Sequence, residues 1–285
     1  MEEIKKISLS EEGYPEILKK IKNPPKILYF KGKLKRKEPC LAIVGTRRYS
    51  SYGKEITFSF AKDLAKRGIT IVSGLARGID SFAHLGALEA NGRTVAILGT
   101  GLDEKSIYPQ ENLKLAKKIL EKGGCLISEY PAGTPGWKKN FPQRNRLISG
   151  LSLGILIVEG RLNSGALITA KWAEEQKRKI FAIPGSIYSL NSQAPHFLIK
   201  KEAKLIENIN DLLKELKLKT FKRKQIKEEN SEENLILEIL KNGGLTIDEI
   251  IEKTNLSPQK TSSLLILMEI ENKIKNLGEN FYVLS

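Results

Sequence analysis

The chain is poor in the residues that build metal sites and disulfide frameworks. Its 285 residues include two cysteines, Cys40 and Cys125, and two histidines, His84 and His196. Two cysteines without a C-x-x-C pair exclude both a thiolate zinc site and a disulfide framework. The histidines lie far apart in the sequence, which excludes an H-E-x-x-H metal helix. We therefore predict neither a metal site nor a cofactor.

The sequence also lacks long apolar segments. No apolar run approaches the ~20 residues that a membrane span needs, and residues 1–6 lack the apolar core of a signal peptide. The composition, 40% hydrophobic and 28% charged, is ordinary for a globular protein and rules out wholesale disorder. The sequence therefore predicts a soluble, cytoplasmic protein without a membrane partner.

Two common nucleotide-binding motifs are missing as well. There is no G-x-x-x-x-G-K-[ST] loop, which argues against ATP hydrolysis of the P-loop class. No full G-x-G-x-x-G follows the first strand, which argues against the usual mode of dinucleotide binding. Neither ATP nor NAD is therefore an expected ligand.

Positive charge is abundant, and it is unevenly distributed. The net charge of the chain is +15, which favours a polyanionic partner. Residues 230–285 carry nine acidic and five basic side chains, a net charge of −4, so the first 229 residues carry +19. Any single lysine is best explained as a solvated surface residue. The clustering of arginines in particular loops points to a polyanion bound by the larger, N-terminal part.

Short apolar runs alternate with helical patterns between residues 38 and about 214. The runs are rich in β-branched residues without alternating polar positions, as in strands buried on both faces of a parallel sheet. Repeated strand–helix units of this kind predict an α/β fold with an extended Rossmann-like, doubly wound, mostly parallel sheet. The predicted strands are Leu41–Val44, Ile69–Val72, Thr94–Leu98, Cys125–Ile127, Ile155–Val158 and Ile180–Ile183. The predicted helices are Ile56–Lys66, Asp80–Ala90, Glu111–Lys122 and Leu167–Gln176.

Other segments flank this core, which we place at residues 37–215. Residues 1–36 form a lead-in, and the Lys- and Glu-rich residues 216–229 are typical of a linker. In residues 230–285 three helical segments precede a hairpin, and the third begins with the capping pair Ser257-Pro258. This order predicts a small C-terminal winged-helix domain.

The loops after the predicted strands should meet at one rim, because ligands of open parallel sheets bind beyond the carboxyl ends of the strands. Small residues at helix starts leave backbone amides free to bind phosphate oxygens. Ser73-Gly74 and Ser164-Gly165 have this form. The same residues are equally typical of tight turns without a ligand, and the sequence leaves both interpretations open.

The segment Pro131–Ser152, which we interpret as a long loop, is the most informative part of the chain. It combines four cations with two aromatic residues, Trp137 and Phe141. Cations suit phosphates, and a base stacked on an aromatic ring contributes ~1–3 kcal/mol whatever the base. This combination favours a strand with exposed bases over a closed duplex. The alternative, equally open for each ring, is that Trp137 and Phe141 anchor the loop in the core.

Several carboxylates lie near the same rim. Glu129 and Glu159 are candidates for the acid or nucleophile of a nucleotide or nucleoside monophosphate hydrolase, which is our alternative function. Carboxylates at strand ends more often orient arginines or cap helices, so we predict a protein that is not an enzyme. A third alternative is a transcription regulator that uses the winged helix, although the acidic C-terminal segment argues against it.

These motifs resemble the DNA-processing protein A family, also called DprA or Smf. The resemblance extends from Tyr14 to Asp211, and its motifs are many and long. It rests on the segments Val44–Arg48, Ser73–Asp80, Phe141–Ser152, Ser164–Ala170 and Ile183–Gly185. It implies a Rossmann-like core that binds single-stranded DNA without hydrolysing it, a homodimer, and delivery of the DNA to a RecA-type recombinase during natural transformation and homologous recombination.

The resemblance also implies site residues. An arginine after the first strand, a lysine and a phenylalanine line the DNA pocket of the family, and they correspond here to Arg47 or Arg48, Lys138 or Lys139, and Phe141. Together with the rim argument, the candidate DNA-binding residues are Arg47, Arg48, Ser73, Gly74, Arg77, Lys138, Lys139, Phe141, Arg144, Asn145, Arg146, Arg161, Ser164 and Gly165.

Two features depart from the family pattern. Many members carry a helical domain ahead of the core, and the residues that precede the core here are too few for one. The predicted winged helix is acidic, whereas phosphate-binding modules need cations. We therefore expect the winged helix to bind protein or the core itself, and exposed apolar residues between Ile180 and Leu198 are a candidate dimer face.

Overall fold

The computed structural model describes residues 3–216, 231–241, 243–270 and 273–284. The chain divides into two compact units, Met1–Arg223 and Lys224–Ser285. The predicted linker lies outside the described residues except for Leu216, which ends the last helix of the first unit. Among the helices of the described segments, none has both the length and the apolar character needed to cross a membrane.

A nine-stranded sheet forms the centre of the first unit, counted over its described residues. In spatial order the strands are β1-β2-β6-β5-β4-β3-β7-β8-β9, and all neighbours from β6 to β9 are parallel. The strands are β1 (Lys5–Ser8), β2 (Ile27–Gly32), β3 (Cys40–Val44), β4 (Thr70–Ser73), β5 (Thr94–Leu98), β6 (Cys125–Ser128), β7 (Gly154–Ile157), β8 (Lys179–Ala182) and β9 (Lys204–Leu205).

Helices cover both faces of this sheet. They are α1 (Glu16–Lys19), α2 (Ser51–Lys66), α3 (Ile79–Glu89), α4 (Leu113–Glu121), α5 (Asn140–Gly150), α6 (Gly165–Glu175), α7 (Gln193–Lys200) and α8 (Ile209–Leu216). Strand β3 illustrates why two layers are needed. All five of its residues are buried: Leu41 and Ile43 pack with α2 and α3, while Ala42 and Val44 pack with α5 and α6 on the other face. The doubly wound, mostly parallel α/β fold is confirmed.

The predicted lead-in contributes two strands, Lys5–Ser8 and Ile27–Gly32, to the same sheet. Strand β1 pairs antiparallel with β2, and β2 pairs antiparallel with β6. Tyr14 between them is fully buried, and its hydroxyl donates to the Pro25 carbonyl at 2.9 Å. These residues therefore extend the sheet beyond β6 as an antiparallel edge.

The second half of Pro131–Ser152 is the helix α5, where the sequence was interpreted as a loop. Pro142 does not prevent the helix, because a proline in the first turn removes a backbone donor that has no intrahelical partner. Leu147 and Ile148 bury the inner side of α5 in the core. Because Arg144 and Arg146 lie on this helix, the helix geometry fixes the direction in which each side chain points.

The second unit is a winged helix, as predicted. Its strands pair in the order β10-β12-β11, and a capping box of Thr246 and Glu249 starts its second helix. Ile236, Leu265 and Met268 lie in its buried core. The elements are α9 (Ser231–Leu240), β10 (Leu245–Thr246), α10 (Ile247–Thr254), α11 (Pro258–Ile270), β11 (Ile274–Asn276) and β12 (Phe281–Leu284).

Candidate nucleic-acid interface

A cavity of the first unit opens at the carboxyl ends of β3 and β7. The strand order reverses between these two neighbours, which is where open α/β sheets bind ligands. The cavity measures about 700 Å³. Eight of the predicted DNA-binding residues line this cavity: Arg47, Arg48, Lys138, Phe141, Arg144, Asn145, Ser164 and Gly165.

A smaller cavity of about 240 Å³ lies beside the first. Four of the predicted residues line both cavities: Arg47, Arg48, Phe141 and Arg144. The smaller cavity adds two further predicted residues, Gly74 and Arg77. We call the pair the rim cavities; ten of the fourteen predicted residues line one or both.

Three exposed cations of the rim cavities are available to a ligand. Arg47, Arg48 and Lys138 are all exposed, and within the described part of the chain none of them is held in an ion pair. Arg77 is also exposed but forms an ion pair with Glu111. An exposed cation without an ion pair breaks no existing interaction when it meets an anion, so these three side chains have the chemistry that a phosphate contact requires.

The start of α2 is closed to anions by the chain's own carboxylate. Glu159 follows β7, is 4% exposed, and accepts hydrogen bonds from the Ser50 backbone N–H at 3.0 Å and from the Ser50 hydroxyl at 2.5 Å. A Cβ at Gly53 would lie 2.2 Å from Glu159 Oε2, so the carboxylate packs against the first turn of the helix. The first helix of the parallel sheet is therefore not a phosphate site.

The first turn of α3 carries a carboxylate, Asp80, whereas the start of α6 is open. Asp80 Oδ2 accepts a hydrogen bond from the Gly74 backbone N–H at 3.0 Å. Helix α6 has no acidic residue in its first turn, and Gly165 has open space where a Cβ would be. The Ser164 hydroxyl beside it is buried without a hydrogen-bond partner in the structure. Of these three helix starts, α6 is the one suited to an anion.

Arg144 is primarily a buried structural residue. It is 5% exposed, and its Nη1 donates to the carbonyl of Gly74 at 2.7 Å and to the carbonyl of Ile97. Burial lowers the pKa of Arg144 to about 10, and the nearby carboxylate of Asp80 opposes that shift. The guanidinium therefore stays charged at neutral pH and ties the ends of β4 and β5 together.

Four predicted residues line neither of the rim cavities. Ser73 is fully buried, and its hydroxyl donates to the Ile43 carbonyl at 2.7 Å. Arg146 points away and binds the Asn23 carbonyl at 2.8 Å and Glu129 Oε1 at 2.5 Å. Lys139 lies over the Trp137 ring, 5.5 Å from its centroid. Arg161 is exposed outside both cavities.

Tyr108 is a residue of the rim cavities that the sequence interpretation missed. It lines both of them, and its ring centroid lies 5.6 Å from that of Phe141. It lies in the connection between β5 and α4, outside the segments from which the candidate site residues were drawn. An aromatic residue before a proline, in a loop leaving the carboxyl end of a strand, was the available signal.

Both units match described families. Residues 5–217 match DNA recombination-mediator protein A, and residues 222–280 match the DprA winged helix domain. Protein Smf of Escherichia coli is 46% identical over 211 residues, which cover 74% of this chain and 56% of that protein. The DNA processing protein DprA of Bacillus subtilis is 43% identical over 215 residues, 75% of this chain and 71% of its own length. The chain thus spans little more than half of the length of the Escherichia coli protein.

Two solved structures have the same architecture. The DprA of Streptococcus pneumoniae superposes with a TM-score of 0.69 at 38% identity, covering 75% of this chain and 74% of that one. The DNA processing protein A of Helicobacter pylori, whose structure was reported for its unique single-stranded DNA binding mode, has a TM-score of 0.67 at 33% identity. That similarity covers 76% of this chain and 98% of the other.

Proposed function

The chain belongs to the DNA recombination-mediator protein A family, and from this premise we propose that it binds single-stranded DNA in the rim cavities. The observation that carries the proposal is the combination of exposed, unpaired cations with an aromatic ring in one concave site. Arg47, Arg48 and Lys138 line the larger of the rim cavities together with Phe141. Cations take the phosphates and the ring takes a base, which are the two requirements of a site for unpaired nucleic acid.

A single strand fits these cavities better than a duplex does. In a duplex the faces of the bases are covered by their neighbours, so a ring cannot stack on them without unstacking the helix. The relative from Helicobacter pylori was described for a single-stranded DNA binding mode, which agrees with this choice. The proposed contacts involve phosphates and a base face, so binding should depend little on sequence.

The proposal does not include catalysis. Of the two carboxylates considered for a hydrolase, Glu129 is paired with Arg146 and Glu159 is bound to Ser50. Neither lines either of the rim cavities. The geometry of this chain therefore favours a binding protein over the alternative of a nucleotide hydrolase.

The biological role that we assign to this binding is DNA processing in the cytoplasm. Single-stranded DNA taken up by natural transformation would be protected and passed to a RecA-type recombinase for homologous recombination. The family description, recombination mediator, and the names of the relatives support this role.

A homodimer is part of the proposal. Segment 187–197 exposes large apolar side chains, with Ile187 80%, Tyr188 91% and Phe197 39% exposed. Apolar side chains grouped in this way are typical of surfaces that another protein covers. A second copy of the chain is the partner that we propose for this face.

The winged helix is proposed to bind protein. Its third helix, α11, exposes Ile266 and Leu267, which are 57% and 53% exposed. The helix carries one cation, Lys260, whose Nζ lies 2.6 Å from Glu232. Helices that read DNA present cations and amides to the phosphates and bases, so this surface is poorly suited to DNA.

Competition between single-stranded and duplex DNA tests the proposed function. We expect the full chain to bind a dT oligonucleotide more tightly than a duplex of equal length. We also expect log Kd to rise steeply and linearly with log salt concentration, because phosphate contacts release counterions. Fluorescence anisotropy titrations at several salt concentrations measure both. Equal affinity for the duplex, or an affinity that salt leaves unchanged, would contradict the proposal.

A further inference from the structure

Tyr108 is an anchored but accessible aromatic residue beside the cations. It lies in the connection between β5 and α4, and its neighbours in sequence, Ile107 and Pro109, are buried. The Tyr108 side chain itself is 48% exposed. The buried neighbours fix the backbone of Tyr108, so the position of its ring at the surface is restricted.

Tyr108 and Phe141 stand together where the two rim cavities meet. Their ring centroids are 5.6 Å apart and their planes are inclined at 45°. Both residues line both cavities. Lys138 lines only the larger cavity, while Arg47 and Arg48 line both, so each cavity offers unpaired cations beside the ring pair.

Glycine backbone packs directly on the rings. A Cβ at Gly136 would lie 3.3 Å from Phe141 Cζ and 3.3 Å from Tyr108 Cγ, and a Cβ at Gly99 would lie 3.0 Å from Phe141 Cδ1. Absence of a side chain at these positions lets the main chain approach the rings and hold them in place. The pair is therefore ordered before a ligand binds, which lowers the entropic cost of stacking.

We infer that Tyr108 and Phe141 form one base-stacking platform, on which an unpaired base lies while the phosphates on its two sides enter the two rim cavities. The inference rests on the proposed binding of single-stranded DNA and adds Tyr108 to it as a DNA-contacting residue. The ligand required has an aromatic face between two phosphodiesters. An unpaired nucleotide within a strand has this form, and a free phosphate or an acidic peptide does not.

A Tyr108 ring that stacks on a base can be distinguished by experiment from one that only supports the surrounding structure. If Tyr108 only supported Phe141 or the loop, its removal would weaken binding of any strand that uses the cavities. If Tyr108 stacks on a base, its removal weakens binding only when the strand carries bases. A strand of abasic deoxyribose phosphates keeps the phosphates and lacks the bases, so it separates the two roles.

The experiment is a cycle of two proteins and two strands. The full chain and its Tyr108→Ala variant are titrated with a dT oligonucleotide and with an abasic oligonucleotide of the same length. We expect Tyr108→Ala to weaken binding of the dT strand by about fivefold or more, and to change binding of the abasic strand by less than about twofold. The salt dependence should not change, because no cation is removed. Tyr108→Phe should bind as the unmodified chain does, because stacking needs the ring and not the hydroxyl.

Tyr49→Ala is the matched control. Tyr49 is 45% exposed and packs edge-on against Phe82 with centroids 4.7 Å apart, yet it lines neither of the rim cavities. We expect it to bind both strands normally. Tyr108→Leu repeats the cycle with an aliphatic side chain if Tyr108→Ala fails to fold.

The inference is overturned if Tyr108→Ala binds dT normally, or if it loses affinity for both strands equally. The same loss in Tyr49→Ala would also overturn it. Failure of the unmodified chain to bind either strand would instead remove the proposed function, and the platform with it.

Discussion

Charge reversal at Arg47 and Lys138 is expected to weaken binding of single-stranded DNA by about 100-fold or more. Both side chains line the larger of the rim cavities, both are exposed, and within the described residues neither is in an ion pair. A charge-assisted hydrogen bond contributes ~1.5–3 kcal/mol, so two lost contacts account for this factor before repulsion is added. The salt slope should also fall by about 1.4, at ~0.7 for each phosphate contact of a single strand.

The Arg47→Glu, Lys138→Glu variant is best compared with Lys66→Glu, Lys118→Glu. The control lysines are exposed on α2 and α4 and line neither of the rim cavities. Both double variants change the net charge by the same amount, so a difference in affinity reports where the cations are. Anisotropy titrations with a dT oligonucleotide measure it. If the two variants bind equally well, binding depends on overall charge and the assigned site is wrong.

Replacing Arg144 with alanine is expected to lower the free energy of unfolding of the first unit by about 3–5 kcal/mol, the usual cost of removing one partner of a buried charged network. The guanidinium is buried, and its loss leaves the carbonyls of Gly74 and Ile97 without that donor. The buried carboxylate of Asp80 also loses the positive charge beside it. The variant should therefore unfold at lower urea before any effect on DNA binding is considered.

Urea unfolding followed by tryptophan fluorescence measures the free energy of unfolding of the first unit alone. Trp137 and Trp172 are the two tryptophans of the chain, and both lie in the first unit. Arg77→Ala is the control: Arg77 also lines one of the rim cavities, but its side chain is 61% exposed and pairs with a half-exposed Glu111. A surface pair of this kind contributes ~0–1 kcal/mol. If Arg144→Ala costs no more than Arg77→Ala, the buried arginine does not have the structural role assigned to it.

The central sheet could be predicted because its strands are continuous apolar runs. Strand β5, Thr94–Leu98, has the predicted bounds, since all five residues are buried and the hydroxyl of Thr94, its one polar side chain, donates to the Ile71 carbonyl at 2.7 Å. Strand β1 gave no such signal. Two of its four residues, Lys5 and Lys6, are exposed, and its place is set by pairing with β2, which is a tertiary contact. An edge strand of this kind has no apolar run to recognise.

The structure brings ten of the fourteen candidate residues together at the rim cavities, and the helical geometry of α5 explains why Arg146 is not among them. Phe141, Arg144, Asn145 and Ile148 recur at the spacing of one helix face, and all four line the larger of the rim cavities. Arg146 is two residues from Arg144, about 200° around the helix, and so points to the opposite side. Interpreting the segment as a loop grouped arginines that the helix separates. The family motif marked the segment but not the direction of each side chain.

Photo-crosslinking tests the central claim most directly, because it locates the bound strand on the protein. The full chain would be irradiated with an oligonucleotide that contains 5-bromodeoxyuridine, and the modified peptides would be identified by mass spectrometry. Binding at the carboxyl ends of β3 and β7 predicts adducts in the peptides that contain Tyr108 and Phe141. Adducts confined to residues 231–284, or to the surface around Arg146, would contradict it.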